Sequence, residues 1–158
     1  MQVKIRPMVG DDRTEIVKIL RATPEFTPSE VEVATELIDL YLQHGTDSDY
    51  HILVAEAGSR PAGYICYGPT PMTDGTWDIY WIAVSAERQN RGIGRKLLSA
   101  AEAKIKKADG RLILIETSSK EEYEKTRRFY RNQSYEQITR IPDFYSPGDD
   151  KLVLRKVL

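Results

Sequence analysis

Apolar positions along the chain change period several times, and each change marks an element. Val3-Lys4-Ile5-Arg6 alternates at period two and predicts a first strand, closed by Pro7. Ile16, Ile19 and Leu20 then recur at helical spacing, with Asp11 or Asp12 available as a cap. Pro24 and Pro28 interrupt, and Pro28-Ser29-Glu30 reads as the start of a second helix with Val33, Leu37, Leu40 and Tyr41 as its packing stripe. Residues 50–56 and 61–68 predict two strands joined by a Gly58-Ser59-Arg60 turn. A loop marked by Pro69, Pro71 and Gly75 leads to a third strand ending at Val84, so these three strands form an antiparallel meander.

A third helix follows Gly94, with Ile93, Leu97, Ala101 and Ile105 spaced by four, Leu98 broadening the stripe, and Asp109-Gly110 as the stop. Residues 111–117 form a nearly continuous apolar run, as expected of a strand buried on both faces. Ser118 or Ser119 is placed to cap a last helix through Tyr123 to Arg131, and residues 135–141 and 151–157 predict a final antiparallel pair. The predicted order is β-α-α-β-β-β-α-β-α-β-β. It describes one α/β domain over residues 1–158, with a mixed central sheet flanked by helices.

Composition narrows the class. The 158 residues include 41% hydrophobic and 30% charged positions, the profile of a globular domain with one sizeable core. No apolar run is long enough to span a bilayer, and the start of the chain lacks the apolar segment of a signal peptide. The single cysteine, Cys66, permits no internal disulfide, so a cytoplasmic location is expected. His44 and His51 stand apart and suggest no metal site. Net charge is only -1, but it is unevenly spread. Glu25, Glu30, Glu32, Glu36, Asp39, Asp47 and Asp49 fall in a stretch without Lys or Arg, whereas residues 88–131 are predominantly basic. This asymmetry suits an anionic ligand on the second half and a cationic one on the first. The aromatic residues of the basic half do not interleave with its charges, so nucleic acid is not an expected partner.

The chemistry concentrates in Asp78-Ile79-Tyr80-Trp81-Ile82-Ala83-Val84, the polar turn after it, and Gln89-Asn90-Arg91-Gly92-Ile93-Gly94-Arg95-Lys96. Strand, glycine turn and helix start make an anion site. The first amides of a helix lack intrahelical partners and carry the positive end of its dipole, and glycines admit an anion close to the backbone. A P-loop needs Lys followed by Ser or Thr after the last glycine, and here Arg95-Lys96-Leu97 follows. A dinucleotide fingerprint needs a third glycine where Leu97 stands.

What remains, Gln-x-x-Gly-x-Gly after an apolar strand, resembles the pyrophosphate-binding motif of the GNAT superfamily of N-acetyltransferases. The predicted element order is also the one this fold implies, and Arg127-Arg128-Phe129-Tyr130 resembles the family's Phe-Tyr motif, although Ser134-Tyr135 stands where Gly-Phe is usual. The resemblance implies acetyl-CoA as co-substrate and an amine acceptor, either a small molecule or a protein. It also implies two central parallel strands that splay apart around the coenzyme arm. The implied coenzyme-binding set is Ile82, Ala83, Val84, Gln89, Asn90, Arg91, Gly92, Ile93, Gly94, Arg95, Ser118 and Tyr130, with the Val84 amide on the thioester oxygen. Tyr130 would act as acid toward the departing thiolate. Asp78, and after it Glu116, would serve as base, and Tyr80 would share a strand face with Asp78, Ile82 and Val84. Neither Ser118 nor Cys66 has a histidine nearby, so no covalent enzyme intermediate is expected. The same turn would serve a non-catalytic coenzyme-binding module, and Tyr130 is the residue that favours an enzyme. Monomer and homodimer are both compatible with the sequence.

Overall fold

The computed structural model describes residues 2–158. Its elements are β1 (Val3–Pro7), α1 (Arg13–Ala22), α2 (Pro28–His44), β2 (His51–Ala57), β3 (Arg60–Pro69), β4 (Thr76–Val84), α3 (Ile93–Lys107), β5 (Leu112–Ser118), α4 (Glu124–Asn132), β6 (Glu136–Ser146) and β7 (Asp149–Val157). The predicted order holds throughout. The strands form one seven-stranded sheet in the order β1-β2-β3-β4-β5-β7-β6, parallel between β4 and β5 and antiparallel elsewhere.

Each face of the sheet carries its own core. On one side Ile93, Leu97, Leu98, Ala101 and Ile105 of α3 pack with Ile65, Trp77, Ile79, Ile113 and Ile115. These are the α3 positions that the four-residue spacing predicts. The helix ends in a Schellman turn: Asp109 takes a φ of 63° and the Gly110 N–H donates to the Ile105 carbonyl at 2.8 Å. On the other side Ile16, Ile19 and Leu20 of α1 and Val31, Ala34 and Ile38 of α2 pack with Ile52, Val54, Tyr64, Cys66 and Ala83. Helices α1 and α2 therefore cover β2, β3 and β4 and leave that face of β5, β7 and β6 uncovered. Glu116 is exposed, and every residue of β6 is exposed.

Several expectations change. Leu37 and Tyr41 pack against the core as expected, but Val33 and Leu40 point outward, and Val31, Ala34 and Ile38 are the residues α2 buries. The helix carries two apolar stripes, and the one containing the small Ala34 lets it approach the sheet. Thr27 caps α2 by accepting from the Glu30 N–H. Asp12 precedes α1 but does not cap it. Its carboxylate accepts from Arg6 and from the Val9 N–H at 2.9 Å. Burial raises its pKa, and the Arg6 and Val9 hydrogen bonds outweigh this and leave it below the usual carboxylate range. Neither Ser118 nor Ser119 caps the last helix, which begins at Glu124 after a short 3-10 turn. Strand β5 buries Ile113, Ile115 and Thr117, whereas Leu114 and Glu116 on its other face reach solvent.

The largest correction concerns β4. Cys66 pairs with Trp81 and Tyr67 with Ile79, so Tyr80 is an extra residue, a β-bulge. The side-chain alternation flips there. Trp77 and Ile79 face α3 before the bulge, and Ile82 and Val84 face it afterwards. Tyr80, Trp81 and Ala83 turn to the α1/α2 side. Asp78 and Val84 thus lie on opposite faces, not on one as strict alternation predicts.

Gly63 pairs with Val84 and holds the end of β4 close to β3. A Cβ there would lie 2.7 Å from the Ala83 carbonyl oxygen and 3.3 Å from Val84, and both obstacles include backbone. Gly63→Ala should therefore cost about 1–3 kcal/mol in urea unfolding. An unchanged midpoint would show that β3 and β4 have slack at this pair.

Candidate active site

Pairing between β4 and β5 runs from Thr76↔Leu112 to Ile79↔Ile115 and then stops. Beyond it β4 pairs only with β3, and Glu116, Thr117 and Ser118 pair only with β7. The bulge at Tyr80 begins this gap, because it turns β4 just where the shared ladder ends. Ser85 donates its N–H to Ala62 of β3 at 2.8 Å. Alternate amides of a strand point to opposite edges, so those of Ile82 and Val84 point into the gap.

The glycine turn closes one end of the gap. Gln89 donates from Nε2 to the Val84 carbonyl at 3.1 Å and accepts from Lys125 of α4 at 3.2 Å, so its side chain ties the end of β4 to α4. Asn90 and Gly92 adopt φ values of 63° and 80°. The two glycines do different work. Gly92 needs the left-handed conformation, and a Cβ there would meet nothing. Gly94 sits against Phe129, 3.4 Å from the place of its missing Cβ, with Val84 at 3.9 Å. The structure thus brings Val84, Gln89, Gly94 and Phe129 together from three elements. The first turn of α3 contains no acidic residue, and Arg91, Arg95 and Lys96 form no ion pair among the described residues. Several free cations thus surround an uncapped positive helix end.

Tyr130 follows Phe129 and is buried, its ring edge-on to Phe129 at 5.2 Å and to Tyr135 at 5.7 Å. Its hydroxyl has no hydrogen-bond partner among the described residues, and burial pushes its pKa up, so it stays protonated. Tyr135 is held by its own hydrogen bond to Glu102 at 2.8 Å, which a phenylalanine could not make. Ser118 spends its hydroxyl inside the protein, donating to Asp149 and accepting from the Lys120 N–H at 3.0 Å. Arg127 donates to the Ser118 and Lys120 carbonyls at 2.7 and 2.8 Å. These bonds support the end of β5 and the start of α4.

The other mouth of the gap is acidic and aromatic. Asp78 accepts from Thr70 at 2.6 Å. Its pKa is raised, first by burial, with nearby Glu116 adding to the rise while Thr70 and Lys151 oppose it. The Tyr80 hydroxyl is pushed up to about 12 by burial and Asp78. The Tyr123 hydroxyl donates to the Glu25 carbonyl at 2.6 Å, and its pKa is raised by burial and by Glu30, Glu25 and Asp149. Tyr145 is raised likewise, by burial and then by Glu116, Asp149 and Glu30. Of the acidic stretch seen in the sequence, Glu25 and Glu30 face this mouth, whereas Asp39 pairs with Arg13 on the outer surface. Tyr123, Tyr145, Asp149 and Lys151 escaped the sequence reading because they stand in no short motif and converge only through the sheet order.

A model of the acetyltransferase (GNAT) domain matches residues 48–137, more than half of the chain. The chain belongs to the GNAT family of acetyltransferases. A search of curated proteins finds no match. Among solved structures, a protein assigned to the GNAT family from Desulfovibrio desulfuricans is 41% identical over 99% of both chains, with a TM-score of 0.95. Two more distant ones share the fold. The ribosomal-protein-S18-alanine N-acetyltransferase of Escherichia coli is 14% identical over 99% of this chain and 94% of its own, with a TM-score of 0.79. The PaiA N-acetyltransferase of Thermoplasma acidophilum, solved with coenzyme A, is 16% identical over 100% of both chains, with a TM-score of 0.77.

In this GNAT chain the two glycines should respond differently to substitution. Gly92→Ala forces a Cβ into the left-handed region and should lower stability by about 1 kcal/mol. Gly94→Ala adds an ordinary contact with Phe129 and improves helix propensity, so its unfolding midpoint should match or exceed the parent's. Equal losses at both positions would contradict this division of roles.

Proposed function

We propose that the protein transfers the acetyl group of acetyl-CoA to a primary amine that arrives as a cation, by direct attack. The observation that carries this reading is the gap between β4 and β5, with a basic helix N-terminus at one end and an acidic, tyrosine-lined mouth at the other. The residues fit the coenzyme. The glycine turn presents backbone without obstruction, Arg91, Arg95 and Lys96 form no ion pair among the described residues, and the Ile82 and Val84 amides border the gap. Bound there, acetyl-CoA supplies an activated acyl carbonyl and a thiol leaving group.

The side chains then divide the remaining work. An alkyl ammonium with pKa about 10.4 needs roughly 4–5 kcal/mol to reach its neutral form at pH 7, so a carboxylate, directly or through ordered water, takes its proton. Glu116 follows Ile115, and Tyr80 follows Ile79, immediately past the last pair of the β4–β5 ladder, so the two begin the gap from opposite sides. Ile82 lies about 7 Å and Val84 about 13 Å farther along the strand. Reacting groups must approach within about 3–3.5 Å, so the Ile82 amide is the better donor to the thioester oxygen, and Val84 holds the arm behind it. Glu116 opens directly onto the gap. Asp78 lies within the paired ladder on the same sheet face, where the charge of Glu116 adds to the rise in its pKa.

Tyr130 supplies the hydrogen bond to the departing sulfur. A thiol titrates near 8.5, and Tyr130 titrates above the usual tyrosine value near 10. Complete proton transfer to the thiolate therefore costs about 2 kcal/mol or more. The hydroxyl stabilises the developing charge as a donor and releases its proton only late, and the second proton lost by the acceptor nitrogen as the amide forms restores the phenol.

Thiol release from acetyl-CoA across a panel of amines, amino acids and peptides tests the reading. Turnover should favour acceptors with a second positive charge over neutral-chain amines. Coenzyme binding without thiol release on any acceptor would instead mark a binding module. Tyr130→Phe should lower turnover well over tenfold, about 1.4 kcal/mol or more, with little change in coenzyme affinity. Unchanged turnover would remove Tyr130 from the chemistry.

A further inference from the structure

Lys151 is placed unusually for a lysine on an open sheet face. It belongs to β7, opposite Ser118 of β5 on one side and Ile141 of β6 on the other. Its side chain is only 15% exposed, whereas its partner Glu116 is 54% exposed. The ammonium lies 2.9 Å from Glu116 Oε1 and 4.5 Å from the centre of the Phe144 ring. It also lies close enough to Asp78 to lower that carboxyl's pKa. A carboxylate, an aromatic face and a second negative charge around one nitrogen are the components of a receptor for an alkyl ammonium ion.

The aromatic wall of this receptor is built to stay in place. Between Ile141 and Ser146 the β6 chain leaves its register with β7. Asp143 there has a φ of 54°, donates its N–H to Asp150 at 2.8 Å and accepts from the Gly148 N–H at 2.8 Å. Arg140 braces Asp150 at 2.6 Å. The loop so pinned carries Phe144 and Tyr145 edge-to-face at 5.0 Å. Phe144 and Glu116 are both about half exposed, so the receptor opens to solvent while the lysine stem is covered.

We propose that the Lys151 ammonium occupies, in the free protein, the seat of the acceptor's ammonium, and that acceptor binding exchanges one for the other. The inference rests on the acetyl-transfer reading for its meaning, because Glu116 is the carboxylate proposed to take the acceptor's proton. Exchange of like charges leaves the charge around Glu116 and Asp78 unchanged, so Glu116 keeps a cationic partner in both states. A neutral molecule offers no compensation for displacing Lys151 and is excluded. The site thereby selects linear primary alkylammonium groups of a lysine's own slenderness. Lys151 is a specificity-determining residue and takes no part in bond making.

The test uses n-butylammonium chloride as probe and 1-butanol as its neutral counterpart, with binding followed by NMR titration of the full chain without coenzyme. Lys151→Met removes the resident cation and should bind butylammonium about tenfold more tightly than the parent. Lys151→Arg, which refills the seat, should stay as weak as the parent, and butanol should bind no better to any of them. Glu116→Gln added to Lys151→Met should abolish the gain. Equal butylammonium affinity in Lys151→Met and parent, or a gain shared by butanol, would overturn the proposal. Lys151→Gln carries the same comparison if the methionine variant loses its folded spectrum. No acetyl transfer is measured, so a protein inactive on every amine would defeat the enzymatic reading and leave this result legible.

Discussion

Backbone amides that have lost their strand partner govern this structure. A buried N–H without an acceptor costs about 1–3 kcal/mol, so a sheet that opens in its middle needs a reason and a support. Here the opening begins at the extra residue Tyr80, and the Ile82 and Val84 amides face the space it creates. The supports are specific. Gly63 keeps β4 against β3, Gln89 binds the Val84 carbonyl, and Arg127 with the Ser118–Asp149 pair holds the end of β5. The sheet is thus rigid on both sides of its own defect, and a ligand arm can supply the acceptors that the missing strand would have offered.

The gap also separates two electrostatic environments. At the glycine turn the field comes from backbone dipoles and from Arg91, Arg95 and Lys96, none of them matched by an acid in the first turn of α3. At the opposite mouth the carboxylates of Glu25, Glu30, Glu116 and Asp149 surround tyrosine hydroxyls that are all displaced upward. A near-neutral chain holds both because the charges are sorted by position, not by total. The helices reinforce the sorting. α3 directs its N-terminus at one mouth, while α1 and α2 stop short of β5 and leave the other open.

The contacts around Tyr130 show how packing shapes chemistry. Its ring is wedged between Phe129 and Tyr135, and Phe129 also fills the space beside Gly94. The glycine turn and the phenol are therefore positioned by the same aromatic row. Burial keeps the hydroxyl protonated, which makes it a dependable donor and a reluctant acid.

Local patterns were enough to establish the element order, the α3 stripe from Ile93 to Ile105 and the helix stop at Asp109-Gly110, since each depends on residues within a turn or two of one another. The Gln89 to Gly94 motif was legible for the same reason, and with Tyr130 it sufficed for the family resemblance. What the chain order could not express was anything set by pairing across the sheet. The bulge at Tyr80 is a mismatch of count between β3 and β4, so strict alternation put Asp78 and Val84 on one face when they lie on two. Of the expected α2 stripe Leu37 and Tyr41 pack inward but Val33 and Leu40 do not, because Val33 and Ala34 satisfy helical periodicity equally well and only the approach of the sheet decides between them. The cluster around Lys151 joins β5, β6 and β7 through strand pairing and the break in β6 register that carries Phe144, and no spacing in the sequence brings Glu116, Phe144 and Lys151 together.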